Sequence, residues 1–414
     1  MKHMYQTPDP SDPMIVATAE IIASEGLSAV RSREIARRSG ESPAAINRRF
    51  GSQDALMREA MIYGTQQECG RLEGLIAQLR SLRISKILYP DVLFSVLNET
   101  HFVEPEAAAF RWTVFAHEDS DLIPAEAVTK LSGTLDVLWS EVAKLIGATS
   151  RDGLVLRSAL EGFARGMLIT QNPFIFRGWT QELCRRLIAR LHGDRVNIDG
   201  PSWRDQLVAR ANEFDASVVA NFTESKAMIV KAASSCLVKM PLHSVTHRSI
   251  ASEAGISLSS MTHHFRSLEE ILWFGCLRMI TQLVDADDGG RLTTQTHSTS
   301  EFAHAFMRIS KSASATKIDR LEQIQLYCHH KESFRALGDQ FLLRQGQNSA
   351  QILTNMSDLA GVYDRLDAAI LHHCSLHLSK SIRRSSHEKI EAATEDDVVY
   401  TITRIFGPRR KTSD

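Results

Sequence analysis

A pattern of about twenty residues occurs twice in the chain, and it limits the possible fold more than any other feature. The first copy reads Arg33-Glu-Ile-Ala-Arg-Arg-Ser-Gly40, then Glu-Ser-Pro-Ala-Ala-Ile-Asn-Arg-Arg-Phe50-Gly-Ser52. The second reads Arg248-Ser-Ile-Ala-Ser-Glu-Ala-Gly255, then Ile-Ser-Leu-Ser-Ser-Met-Thr-His-His-Phe265-Arg-Ser267. Arg33, Ile35, Ala36, Gly40, Ser42, Phe50 and Ser52 each reappear 215 positions later. Each copy has the order helix, glycine-containing turn, second helix, the arrangement of a helix-turn-helix DNA reader.

The repetition extends past the readers. Met14-Ile-Val matches Met228-Ile-Val and Ala19 matches Ala233 at an offset of 214. One extra residue near Pro241 makes the offset 215, and it returns to 214 at Glu118 and Glu332, Leu145 and Leu359, Gly147 and Gly361, Arg151 and Arg365, and Gly193 and Gly407. The chain therefore reads as two diverged copies. The expected domains are 1–64 (first reader), 65–192 (first helical domain), 193–222 (linker and connecting helix), 223–282 (second reader) and 283–414 (second helical domain). The turn-forming stretch 193–202 is the linker, and 285–298 and 407–414 are expected to be polar loop and tail.

The expected fold class is all-α. Asp12-Pro13 supplies a side-chain cap and a first-turn proline. Ile15, Ala19, Ile22 and Ala23 follow at helical spacing, and Gly26 marks a stop. In the second copy Thr223 or Ser225 is the cap, and Pro241 ends the helix. Ser42-Pro43 opens the second reader helix by the same rule. Further helices are expected over 53–83, 87–117, 125–147, 152–171 and 180–192, then 203–222, 268–284, 299–311, 317–335, 337–360, 364–384 and 394–406.

A chain of 414 residues with 43% apolar residues and a formal net charge of −1 suits two or three ordinary globular domains. Near-neutral charge argues against an overall basic coat, not against a local basic patch. No run of 18 apolar residues exists and the N-terminus lacks an apolar signal core, so the expectation is a cytoplasmic protein without a membrane span. The six cysteines are scattered without a Cys-x-x-Cys motif, which points away from a disulfide framework.

Within each reader, Ile35, Ala36, Ile46 and Phe50, and their equivalents Ile250, Ala251, Met261 and Phe265, are expected to form the buried face. The opposite face of the first copy presents Arg33, Ala44, Ala45, Asn47, Arg48 and Arg49, with Ser42, Pro43, Ser52 and Gln53 at helix starts. An arginine clamps guanine or neutralises phosphate, and Asn47 suits adenine. Ser52 opens a helix whose free N–H groups favour phosphate. The second copy presents Thr246, Arg248, Ser257, Ser259, Ser260, Thr262, His263, His264 and Ser267, a surface of hydroxyls and imidazoles.

On these motifs, with Phe50-Gly-Ser-Gln-Asp-Ala-Leu56 and Phe265-Arg-Ser-Leu-Glu-Glu-Ile271, both copies resemble the DNA-binding domain of the tetracycline-repressor (TetR) family of bacterial regulators. The resemblance covers about 55 residues per copy. It implies three-helix readers, ligand-regulated binding to a double-stranded DNA operator, and a partner bundle built from the last two long helices. The family usually has tyrosine where Asn47 and Thr262 stand, and lysine where Gln53 and Leu268 stand. The first copy also has Arg31 at a usual Ser/Thr cap and Glu41 at a usual apolar position, where the second keeps Thr246 and Ile256. The two readers are therefore unequal.

Family members bind as two-fold dimers. Here the last helices of the two copies, 152–192 and 364–406, are expected to pair as an intrachain pseudo-dimer; the alternative is a homodimer carrying four readers. For a small apolar or aromatic effector, Phe110, Arg111, Trp112, Phe115, Trp139 and Phe163 are the candidate pocket, and a close-packed core explains the same aromatics. His372, His373 and His377 lack the companions of a metal site, so no metal and no cofactor is expected. No nucleophile elbow, phosphate loop or dinucleotide glycine pattern occurs, so no enzyme is expected. The expected function is a ligand-responsive repressor reading an asymmetric operator. The alternatives are a regulator in which only the first copy reads DNA, and a sensor or scaffold that binds none.

Overall fold

In a computed structural model of the chain, the described residues are 12–194, 201–211, 222–285, 297–312, 314–359, 361–383 and 393–407. Among them there is helix and no strand. Two compact units divide the chain: 1–84 with 96–153, and 85–95 with 154–414. The expected segments 195–200, 212–221, 286–296 and 408–414 lie outside the described residues.

In the first unit, α1 (Pro13–Glu25), α2 (Ser32–Ser39) and α3 (Pro43–Phe50) form the first reader. The 29-residue α4 (Gln53–Ser81) follows and packs against α1 and α7 (Ala125–Leu145). The expected helix over 87–117 is three pieces: α5 (Tyr89–Leu97), which belongs up to residue 95 to the second unit, a π-turn Asn98–Phe102, and α6 (Pro105–Ala116). Pro105 has no N–H to continue a helix from before it, so it starts one instead.

The interior of this unit holds charge. Glu68 on α4 is 5% exposed and pairs with buried Arg111 on α6 and with Arg71. Arg111 also donates to the Thr100 carbonyl at 2.8 Å and meets His101 Nε2 at 3.2 Å. A guanidinium only donates, so this ring nitrogen accepts. Burial opposes the charged Glu68 carboxyl, but Arg111 and Arg71 hold it below its ordinary range.

In the second unit, α8 (Asp152–Ala164, from Leu154 onward), α9 (Gly166–Ile169) and α10 (Pro173–His192) precede α11 (Trp203–Ala211). The expected continuous helix 152–171 breaks at Arg165 and ends at Thr170, and α10 begins seven residues earlier than 180. The second reader comprises α12 (Glu224–Lys239), α13 (His247–Ala254) and α14 (Leu258–His264) and leads into α15 (Leu268–Asp285). Then come α16 (Thr299–Ser310), α17 (Ser314–His330), α18 (Arg335–Arg344), α19 (Gln347–Asn355), α20 (Arg365–Arg383) and α21 (Glu395–Phe406).

The break between α18 and α19 replaces an expected helix over 337–360. Gly346 there has φ 77°, and a Cβ would come within 2.7 Å of the Ala368 backbone, so only glycine fits. Helix ends repeat at the offsets read from the sequence. α2 and α13 start at 32 and 247, α3 and α14 at 43 and 258, and α4 and α15 at 53 and 268. α1 and α12 end at 25 and 239, α6 and α17 at 116 and 330, and α10 and α21 at 192 and 406.

In this unit α10 packs against both α20 and α21. Phe163 stacks on Phe176 at 5.1 Å and meets Trp179 edge-on at 4.9 Å and His373 edge-on at 5.4 Å. Burial drives His373 well below its ordinary pKa, so its ring is neutral at neutral pH.

Candidate DNA-reading surfaces

The first reader begins at Asp12, whose Oδ1 accepts the Met14 N–H at 2.9 Å with Pro13 in the first turn. Gly26 and Gly40 have positive φ of 83° and 72° and make the stops that redirect the chain. Ile35, Ala36, Ile46 and Phe50 are all buried, as are Ile250, Ala251, Met261 and Phe265 in the second reader. In both readers this apolar seam sets the angle of the outer helix and leaves its other side to solvent.

Arg33, Ser42, Pro43, Ala44, Asn47, Arg48, Arg49 and Ser52 are exposed. Arg33 and Arg48 have no ion-pair partner among the described residues, which leaves two cations on the outward face. Ala45 is only 1% exposed and belongs to the seam, not to the outward face expected for it. Its turn of α3 rotates the methyl inward beside Ile46. Gln53 is also placed differently. Its amide donates to the Val30 carbonyl at 2.9 Å and accepts from the Ser32 hydroxyl at 2.7 Å. It closes the start of α2, where Arg31 makes no side-chain cap.

Arg49 is exposed but not free. It donates to Asp12 at 2.9 Å and to Glu41 at 2.5 Å, which ties α3 to the start of α1 and to the reader turn. Glu41 first, then Asp12, raises its already high pKa. Nothing in the sequence marks Asp12 or Glu41 as its partners, because 37 and 8 residues separate them from it. Glu34 accepts from Arg37 and Arg38, whose hydrogen bonds pull its carboxyl down to about 2. Arg38 also reaches Glu25 on α1.

The second reader uses different chemistry at the same places. Thr246 accepts from the Ser249 N–H at 3.1 Å while Ser249 accepts from the Thr246 N–H at 2.9 Å, a complete capping box. Ser257 caps α14 through the Ser260 N–H, and Ser267 accepts the Glu270 N–H. Thr262 donates back to the Ser259 carbonyl at 3.0 Å. Thr246, Arg248, Ser257, Ser259, Ser260, Thr262, His263 and Ser267 are exposed and His264 is half-buried. Several of these hydroxyls are therefore already engaged by backbone. Arg248 is the one arginine of the set.

Two exchanges stand out. Glu25–Arg38 joins α1 to α2, and at the equivalent positions Lys239–Glu253 joins α12 to α13 at 2.6 Å with the signs reversed. Where Asp12 holds Arg49, the second reader has Lys226 and His264. Lys226 lies over the Phe265 ring at 5.5 Å and over Phe222 at 5.9 Å.

The candidate effector residues Phe110, Arg111, Trp112, Phe115, Trp139 and Phe163 are all buried. Phe110 fills the space over Gly64, where a Cβ would come within 2.4 Å of it. Arg111 is committed to Glu68. Phe163 belongs to the second unit and the other five to the first. A groove of about 400 Å³ lies elsewhere, lined by Lys86, Ile87, Pro90, Arg185, Ile188, Ala189 and Asp194. None of the six expected residues lines it, and no sequence motif marks it.

Residues 14–60 match the family of bacterial regulatory proteins, tetR family. The first reader is therefore similar to the DNA-binding domain of that family. That supports a TetR-family regulator and indicates a DNA-binding transcriptional regulator. TetR-family regulators are generally non-enzymatic and typically dimerise. The match spans the TetR-type helices α1 to α3 and the start of α4, and the second reader lies outside it. No curated protein matches the chain. No helix of the described residues is long and apolar enough to cross a membrane.

Proposed function

We propose that the chain is a ligand-responsive transcriptional repressor in which two TetR-type units, 1–192 and 223–414, form an intrachain pseudo-dimer. The observation that carries this reading is the outward face of the first reader: Arg33, Asn47 and Arg48 stand exposed opposite a sealed apolar seam. The second reader repeats that seam at Ile250, Ala251, Met261 and Phe265, while Ser260, in the place of Ala45, is exposed. The common helix boundaries and the sign-reversed pair Glu25–Arg38 and Lys239–Glu253 support descent of both units from one. The packing of α10 on α20 and α21 supports their pairing.

Unequal readers imply an asymmetric operator, since nothing forces matching half-sites. A small apolar or aromatic effector would act by favouring an arrangement whose readers no longer fit successive major grooves. The first half-site is read by arginine and asparagine, the second by Arg248, hydroxyls and imidazoles.

The test is duplex binding at two salt concentrations after footprinting the DNA beside the protein's own gene. Arg48→Ala should weaken binding and lower the salt slope by about 1, as loss of one phosphate contact does. His263→Ala should have a smaller effect at pH 7.5. No footprint, or a slope unmoved by Arg48→Ala, would overturn DNA reading. A perfect palindrome protected equally on both sides would overturn the unequal pseudo-dimer. Loss with Arg48→Ala alone favours the second reading, in which only the first copy reads DNA.

A further inference from the structure

Four carboxylates of the second half are held by side chains from the last helices of the first half. Arg186 donates to Asp364 at 2.7 Å and to Asp367 at 2.8 Å. Arg190 grips Asp367 with both faces of its fork, at 3.1 and 2.7 Å. Arg165 donates to Glu322 at 2.9 Å, which also holds Lys380 of its own half. Thr170 and Asn172 donate to Asp339 at 2.6 and 2.8 Å. In every case the first half supplies the donor and the second half the carboxylate.

None of the four carboxylates has an acidic equivalent in the first half. The positions 214 residues earlier are Ala108, Ala125, Ser150 and Gly153. In the other direction, Arg165 and Arg186 correspond to Ser379 and Tyr400. Only Arg190 keeps its charge, as Arg404, and that residue donates to the Leu191 carbonyl at 2.7 Å. Asp367 is fully buried and Glu322 is 7% exposed, so these charges are not surface decoration. A buried carboxylate without its partner is far more costly than an exposed one.

We infer that this one-way polarity specifies the pairing: the α8–α10 face is complementary to a second half and closed to another first half. A like-with-like dimer through this face would set Arg186 and Arg190 against their own copies without Asp364 and Asp367 to receive them. The inference rests on the pseudo-dimer reading for its biological sense, but it concerns which surfaces accept each other.

The experiment uses the full chain and three variants: Asp367→Asn, Arg190→Asp, and the reversal Arg190→Asp with Asp367→Arg. Each single change should lower Tm by roughly 10 °C, as expected for a broken buried pair in a unit of this size. The reversal should recover at least half of the loss shown by Arg190→Asp. An unchanged Tm for Asp367→Asn, or a reversal no better than Arg190→Asp alone, overturns the inference. Asp367→Asn is nearly isosteric, so it gives an answer even if a reversed variant fails to fold. Sedimentation of the wild type separates the two readings. A one-chain particle supports the pseudo-dimer. A two-chain particle that keeps the reversal effect overturns the pseudo-dimer and leaves the polarity standing.

Discussion

The two readers are braced by different means. In the first, ion pairs brace the helices: Arg49 ties α3 to Asp12 and Glu41, and Arg38 ties α2 to Glu25 of α1. In the second, a capping box at Thr246 and Lys226 over Phe265 occupy the corresponding places, with one ion pair, Lys239–Glu253. The apolar seam is common to both. The seam therefore dictates the shape, and the bracing around it is replaceable. The outward chemistry has changed along with the bracing, since Arg48 and Arg49 correspond to His263 and His264.

If the seam is the common determinant, removing its largest residue should damage both readers. Phe50→Ala and Phe265→Ala should each cost about 3–5 kcal/mol in denaturant unfolding. Phe265 should lie at the upper end, because it also meets Phe222 and Phe274. A loss below 1 kcal/mol at either site would break the comparison.

The bracing predicts smaller, opposite responses. Thr246→Ala should destabilise the second reader by about 1 kcal/mol, while Arg31→Thr should stabilise the first by a similar amount by supplying the absent cap. Hydrogen exchange of α2 and α13 amides would report both. Arg49→Ala should lower DNA affinity while leaving the salt slope unchanged, because its guanidinium is spent on Asp12 and Glu41. A slope lowered by about 1, as for Arg48→Ala, would make Arg49 a phosphate contact instead.

The smallest effect is electrostatic. Glu34, held to about 2 by Arg37 and Arg38, and Glu253, lowered by Lys239 and Ser235, both have folded values below the ordinary 4.5. Their contributions are present above pH 4.5 and fade as pH falls through the folded value. Carboxyl carbon titration by NMR should place Glu34 below Glu253, and Arg37→Ala should raise Glu34. Equal values for the two would remove this difference between the readers.

The repeat, the caps and the seam were legible in the sequence because each is local. Asp12-Pro13, Gly26, Gly40 and Thr246 act within a few residues, and Ile35, Ile46 and Phe50 follow helical spacing. The break at 345–346 was not legible, because its cause is distant: the Ala368 backbone beside Gly346 sits 22 positions away. Outward faces were legible to within one residue, and Ala45 was misplaced because a short helix rotates about 100° per residue. Arg49 and Gln53 have the right chemistry for DNA, and only the structure reveals their partners within the reader. The same holds for Arg111, whose aromatic neighbours suggest a pocket and whose partner Glu68 lies 43 residues earlier.

The sign reversal between Glu25–Arg38 and Lys239–Glu253 also bears on recombination. Moving α2 into the second reader would set Arg38 against Lys239, and moving α13 into the first would set Glu253 against Glu25. Each crossover turns an attraction into a repulsion at the joint that fixes the reader's first two helices. Partial exchange between the two stretches of coding sequence is thereby penalised.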